Sequence, residues 1–146
     1  MEHKTCFFIG HHDAPESLAP LIYKAVERHI IEYGISEFVV GHYGYFDLLA
    51  AHAVREAKKH YPEVMLTLLI PYYPYNNDTS GYDRTFYPPG MEYVPKPFAI
   101  VRANDYMIRT SDYLICYDRG QIGKTRDYAA LARQCENRGK LHIEFI

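Results

Sequence analysis

Short apolar runs alternate along the chain with segments whose apolar residues recur every three or four positions, the pattern of an α/β fold on a mainly parallel sheet. Cys6-Phe7-Phe8-Ile9 predicts a first strand closed by Gly10. Leu18, Leu21, Ile22, Ala25, Val26 and His29 then trace one helical face that ends near Gly34, with Asp13 and Glu16 around Pro15 reading as a capping pair at its start. Phe38-Val39-Val40 predicts a second strand. After the turn from Gly41 to Gly44, Phe46, Leu49, Ala50, Ala53, Val54 and Ala57 form a second helical face. The unbroken run from Val64 to Ile70 suits a strand buried on both sides of a parallel sheet, and Pro71 ends it. A helix from about Phe98 to Thr110, a strand from Tyr113 to Tyr117, a helix after Gly123 that buries Tyr128, Leu131, Ala132 and Cys135, and a strand from Leu141 to Phe145 complete the pattern. The expected architecture is a Rossmann-like three-layer sandwich with a mainly parallel sheet of roughly five strands.

A chain of 146 residues, 48% hydrophobic and 23% charged, predicts one cored domain spanning 1–146. Its one anomaly is the segment 71–96, too long for an ordinary connection and rich in proline, which marks a functional loop. Six of the fifteen tyrosines fall there, with five prolines, Phe86 and Arg84. Tyrosines offer flat stacking area and prolines stiffen the chain, so Tyr72 and its neighbours read as a lid over a base, with a covered sheet edge or an oligomer interface as the other reading.

The formal charge of -2 gives no broad positive field and argues against nucleic-acid binding. Cys6, Cys116 and Cys135 lack metal-ligand spacing and read as core residues in a reducing cytoplasm. No segment is apolar for long enough to serve as a signal peptide or a membrane span, so a cytoplasmic location is expected.

Ligands of open parallel sheets bind at the carboxyl ends of the strands, where three turns are predicted to converge. The first carries Gly10, His11 and His12. The second carries Gly41, His42, Tyr43 and Gly44, with Asp47 just inside the following helix. The third carries Gly120 and Gly123, then Lys124 and Thr125 at a helix start. Its letters GKT do not make a triphosphate loop, because the glycine required five positions before Gly123 is Asp118. A Gly-rich turn opening a helix still suits one phosphate or carboxylate. His11, His12, His42 and His52 lack the spacing and the partner ligands of a metal site, and no cofactor is required. Asn104 shares a helical face with Ile100, Val101, Met107 and Ile108, so its amide must find partners; it reads as a structural anchor or, second, as a ligand contact.

Ile9-Gly10-His11-His12, Val40 to Asp47 with Ala50-Ala51-His52-Ala53, and the G-x-x-G-K-T-x-D-Y-A run from Gly120 together resemble the SLOG superfamily, including its small stand-alone bacterial or phage members. Many relatives have G-H-R where this chain has His12, and Gly-Gly where it has Gly41-His42. The resemblance implies a homo-oligomeric Rossmann-like protein that binds a nucleotide or an NAD-derived, ADP-ribose-type nucleotide. It would act as sensor, carrier or sequestering protein, with a link to immune signalling nucleotides. The alternative it implies is a phosphoribohydrolase-like N-glycosidase acting on nucleoside monophosphates, with Asp127 standing where those enzymes carry a catalytic Glu.

Overall fold

The computed structural model describes residues 3–146. The first strand, β1 (Thr5–Gly10), lies near the centre of a six-stranded sheet because both its faces are apolar. Cys6 and Phe8 point to one layer and Phe7 and Ile9 to the other, all buried. Burying a side chain such as Phe7 or Phe8 contributes roughly 1.5–3 kcal/mol, so a strand with two such faces is most stable between neighbours.

After a short 3-10 turn at Glu16–Leu18 the chain forms α1 (Ala19–Tyr33), β2 (Glu37–Val40), α2 (Tyr45–Lys58) and β3 (Met65–Leu69). It continues through β4 (Arg84–Phe86), α3 (Lys96–Thr110), β5 (Tyr113–Tyr117), α4 (Lys124–Asn137) and β6 (His142–Phe145). The strands are ordered β4-β3-β2-β1-β5-β6 and every pairing is parallel. Helices α1 and α2 cover the Cys6 face, and α3 and α4 cover the Phe7 face, giving a Rossmann-like three-layer fold. The chain winds outward from β1 to β4 on one side and from β5 to β6 on the other. The order therefore reverses between β1 and β5, and a crevice is left above their carboxyl ends.

One expectation is refined and one is corrected. The sheet has six strands rather than roughly five, since the loop 71–96 contains β4, which pairs Thr67 with Arg84, Leu68 with Thr85 and Leu69 with Phe86. Three residues with one large apolar side chain carry too little periodicity to register, and an edge strand needs no second buried face. Asp13 and Glu16 also form no capping pair, because the turn at Pro15 has no side-chain cap. Asp13 instead pairs with Arg119, at 2.9 Å. Gly34 does end α1, in the left-handed conformation that favours glycine. The three cysteines are free and buried, and burial pushes the Cys116 thiol up to about 12. No helix among the described residues is long and apolar enough to cross a membrane.

Candidate functional site

A cavity of about 420 Å³ opens at the β1/β5 switch point, within the size range of small-molecule sites. The three Gly-rich turns meet there. From the first come Gly10, His11 and His12; from the second Gly41, Tyr43, Gly44 and Asp47; from the third Gly123, Lys124 and Thr125.

The first turn is strapped to the third. His11 is buried, and its Nε2 accepts the Arg119 backbone N–H at 2.9 Å, which places the ring proton on Nδ1. The ring stands edge-on to Tyr117, and the Asp13–Arg119 pair crosses between the same two loops. The first turn is also strapped to the second, where the Tyr45 N–H donates to the His12 carbonyl at 2.8 Å. That approach is close enough that a Cβ at residue 44 would fall 2.4 Å from the His12 Cα, so only glycine fits. Gly44 thus serves the packing of two protein turns against each other.

Asp47 stands in the first turn of α2, a partly buried carboxyl whose Oδ2 accepts the Tyr43 N–H at 3.2 Å. Burial pushes it up to about 6, and that single hydrogen bond offsets only part of the cost of withdrawing the charge from water. The Tyr43 ring lines the cavity while its hydroxyl is buried without a partner among the described residues, beside Tyr75 and Tyr72.

The third turn presents a helix start. Gly123 precedes α4 with φ of 152°, a conformation L side chains rarely adopt, and no side chain caps the helix. The first backbone N–H groups of α4 are left for water or a ligand, beside the Lys124 ammonium and the Thr125 hydroxyl. One turn further along α4, Tyr128 lines the same cavity, and α3 contributes Ile100, Val101 and Asn104. Burial pushes the Tyr128 hydroxyl up, and the Asn104 amide beside it pulls it partly back.

No family model matches the chain, and no curated protein does. A solved structure of the molybdenum cofactor binding protein from the phototrophic bacterium Rippkaea orientalis is similar to it, at 18% identity and a TM-score of 0.62, over 100% of this chain and 78% of that one. The likeness shows the fold: a Rossmann-like α/β sandwich.

Four of the residues assigned to a ligand from the sequence lie outside the cavity lining. His42 turns away, its Nδ1 3.4 Å from the Tyr82 hydroxyl. Gly120 serves the turn itself, with φ of 79° and its N–H donating to Asp118. Tyr72 packs against the α3/α4 core with the Lys96 ammonium over its ring, at 4.7 Å. Arg84 lies towards the opposite end of the sheet, 2.7 Å from Glu37. The tyrosine loop therefore backs the Tyr43 wall of the cavity rather than roofing it. Asp127 is exposed and faces the groove between α3 and α4. Among the described residues no three His, Cys, Asp or Glu side chains are grouped to hold a metal. The sequence reading missed Ile100, Val101 and Gln121, and assigned Asn104 first to a structural role. The available signal was the amide on an apolar stripe.

Proposed function

We propose that the protein binds a nucleotide or an NAD-derived nucleotide, its phosphate at the start of α4 and its sugar and base reaching inward between α3 and the second turn. The observation that carries this reading is the uncapped α4 terminus, with Lys124 and Thr125, opening into a cavity of mixed polar and apolar lining at the switch point of the sheet. An anion there meets free N–H donors, a cation and a hydroxyl together. The SLOG-like motifs point the same way. The similar solved protein is described as binding a molybdenum cofactor, which supports a small-molecule ligand here.

The phosphoribohydrolase-like alternative loses its carboxylate, because Asp127 lies on the helix exterior and the acids that line the cavity are Asp13 and Asp47. Binding without turnover is the reading kept. Mass spectrometry of small molecules released on denaturing the purified protein tests it, and a retained nucleotide is the expected result. A retained molybdenum cofactor, or free base produced from nucleoside monophosphates, would replace it.

A further inference from the structure

Asn104 is 8% exposed on the face of α3 that also buries Ala99, Ala103, Met107 and Ile108. A buried carboxamide needs partners, since leaving its groups unpaired costs free energy. It presents one oxygen acceptor and two N–H donors, and it lines the cavity together with Tyr128, whose hydroxyl lies beside it. The remaining exposure opens on the cavity, which Asn104 lines.

The position along the cavity also matters. Tyr128 follows Lys124 by four residues on the same side of α4, a rise of about 6 Å. That is the scale of the sugar that separates a phosphate from its base. Ile9, Ile100 and Val101 give apolar walls, and the Tyr43 ring gives a flat one. A phosphate at Lys124 thus leaves the heterocycle of the same ligand at Asn104.

We propose that Asn104 is the specificity-determining residue of this cavity, its carboxamide reading the adjacent donor and acceptor on the edge of an adenine-type base laid against the Tyr43 ring. The inference rests on the nucleotide reading above and adds to it the base and the group that reads it. A carboxamide matches the amino group and neighbouring ring nitrogen of adenine with two hydrogen bonds, and such a bidentate pair discriminates by about ten- to a hundredfold.

The test is calorimetric titration of the full chain with AMP and with ribose 5-phosphate, which has the phosphate and sugar but no base. Wild type is expected to bind AMP more tightly. Asn104→Leu should weaken AMP binding by about ten- to a hundredfold and change ribose 5-phosphate binding by less than about twofold. Should Asn104→Leu not fold, Asn104→Asp is read in its place, because it keeps the shape and removes the donor. Tyr128→Phe should shift AMP alone, by less. An equal loss for both ligands would make Asn104 a structural anchor and overturn the proposal, as would unchanged AMP affinity in the variants. Wild type binding ribose 5-phosphate as tightly as AMP would overturn the base reading and leave the phosphate site standing. Binding of neither would remove the nucleotide reading and this proposal with it.

Discussion

At the amino end of the sheet Glu37 is buried under three partners, whereas at the carboxyl end Asp47 is withdrawn from water with one. The Glu37 carboxylate accepts bonds from the Thr67 hydroxyl, from Arg84 and from His3. Burial pushes it up, but these donors outweigh burial and hold it below its ordinary value of 4.5. Burial pushes Asp47 up as well, and the Tyr43 N–H alone cannot reverse it, so it stands at about 6. The same physical penalty is answered by side chains at one end and left largely unanswered at the other. Polar groups that the fold leaves short of partners are where a ligand gains most. The amino end therefore reads as structure and the carboxyl end as function.

The largest effect expected is at the amino end. Glu37→Ala leaves the fully buried Thr67 hydroxyl and the Arg84 guanidinium without their acceptor. A loss of about 2–4 kcal/mol in urea unfolding is expected, with ligand affinity in the surviving folded fraction unchanged. The folded-state value of Glu37 is depressed, so its contribution is present above the ordinary value of 4.5 and is lost as pH falls through the lower folded value. A Glu37 variant that unfolds no more easily than wild type at pH 7 would break the comparison from the structural side.

Lys124→Ala should do the reverse, leaving unfolding unchanged and weakening nucleotide binding by about 1.5–3 kcal/mol, the loss of one charge-assisted hydrogen bond. The side chain is exposed at the helix start and forms no ion pair among the described residues. Calorimetry on this variant beside circular dichroism separates the two ends of the sheet directly. Unchanged affinity would remove the third turn from the site.

Asp47→Asn is a smaller and stabilising change. The folded-state value is raised from 3.8 to about 6, so the stability tied to the protonated acid is complete below 3.8 and is lost as pH rises towards 6. The amide cannot ionise and still accepts the Tyr43 N–H. The variant should match wild type near pH 3.5 and exceed it at pH 7 by about 1–2 kcal/mol, after allowing for partial exposure. Denaturant melts at the two pH values check this, and a variant less stable than wild type at pH 7 would show that the ionised carboxylate has partners the fold prizes.

The sheet and helices were largely legible because their signals are local. The double-faced run Cys6 to Ile9, the stripe from Leu18 to His29 and the stop at Gly34 each carry their own periodicity or conformational demand. That three turns share one cavity followed from parallel topology, without any residue-level knowledge. What was not legible depends on partners distant in the chain. Arg84 looks like a loop cation until β4 pairs with β3 and sets it beside Glu37, 47 positions earlier. His42 looks equivalent to its neighbours until Tyr82 draws it out of the turn. Asn104 carried a signal, an amide among apolar residues, yet only the placement of Tyr128 and the cavity turned that signal towards a ligand.

The smallest effect is expected at Asp127, and it bears on the reaction. The SLOG-like motif sets this residue where the phosphoribohydrolases carry their acid, so a hydrolase would lose its turnover in Asp127→Asn. In the fold, α4 begins at Lys124, and Asp127 lies in its first turn on the side facing Asp105 and Arg109 rather than the cavity. An acid at a helix start contributes through the dipole, by about 0.3–1 kcal/mol of stability. Asp127→Asn should therefore cost less than about 1 kcal/mol in unfolding and change nucleotide affinity by under about 0.5 kcal/mol. Asp47→Asn is the matched control, since it alters a carboxyl that does line the cavity. Release of free base from a nucleoside monophosphate, abolished by Asp127→Asn and not by Asp47→Asn, would mean that the substrate approaches from the α3/α4 groove. The function would then belong to that face and the β1/β5 crevice would hold only the phosphate.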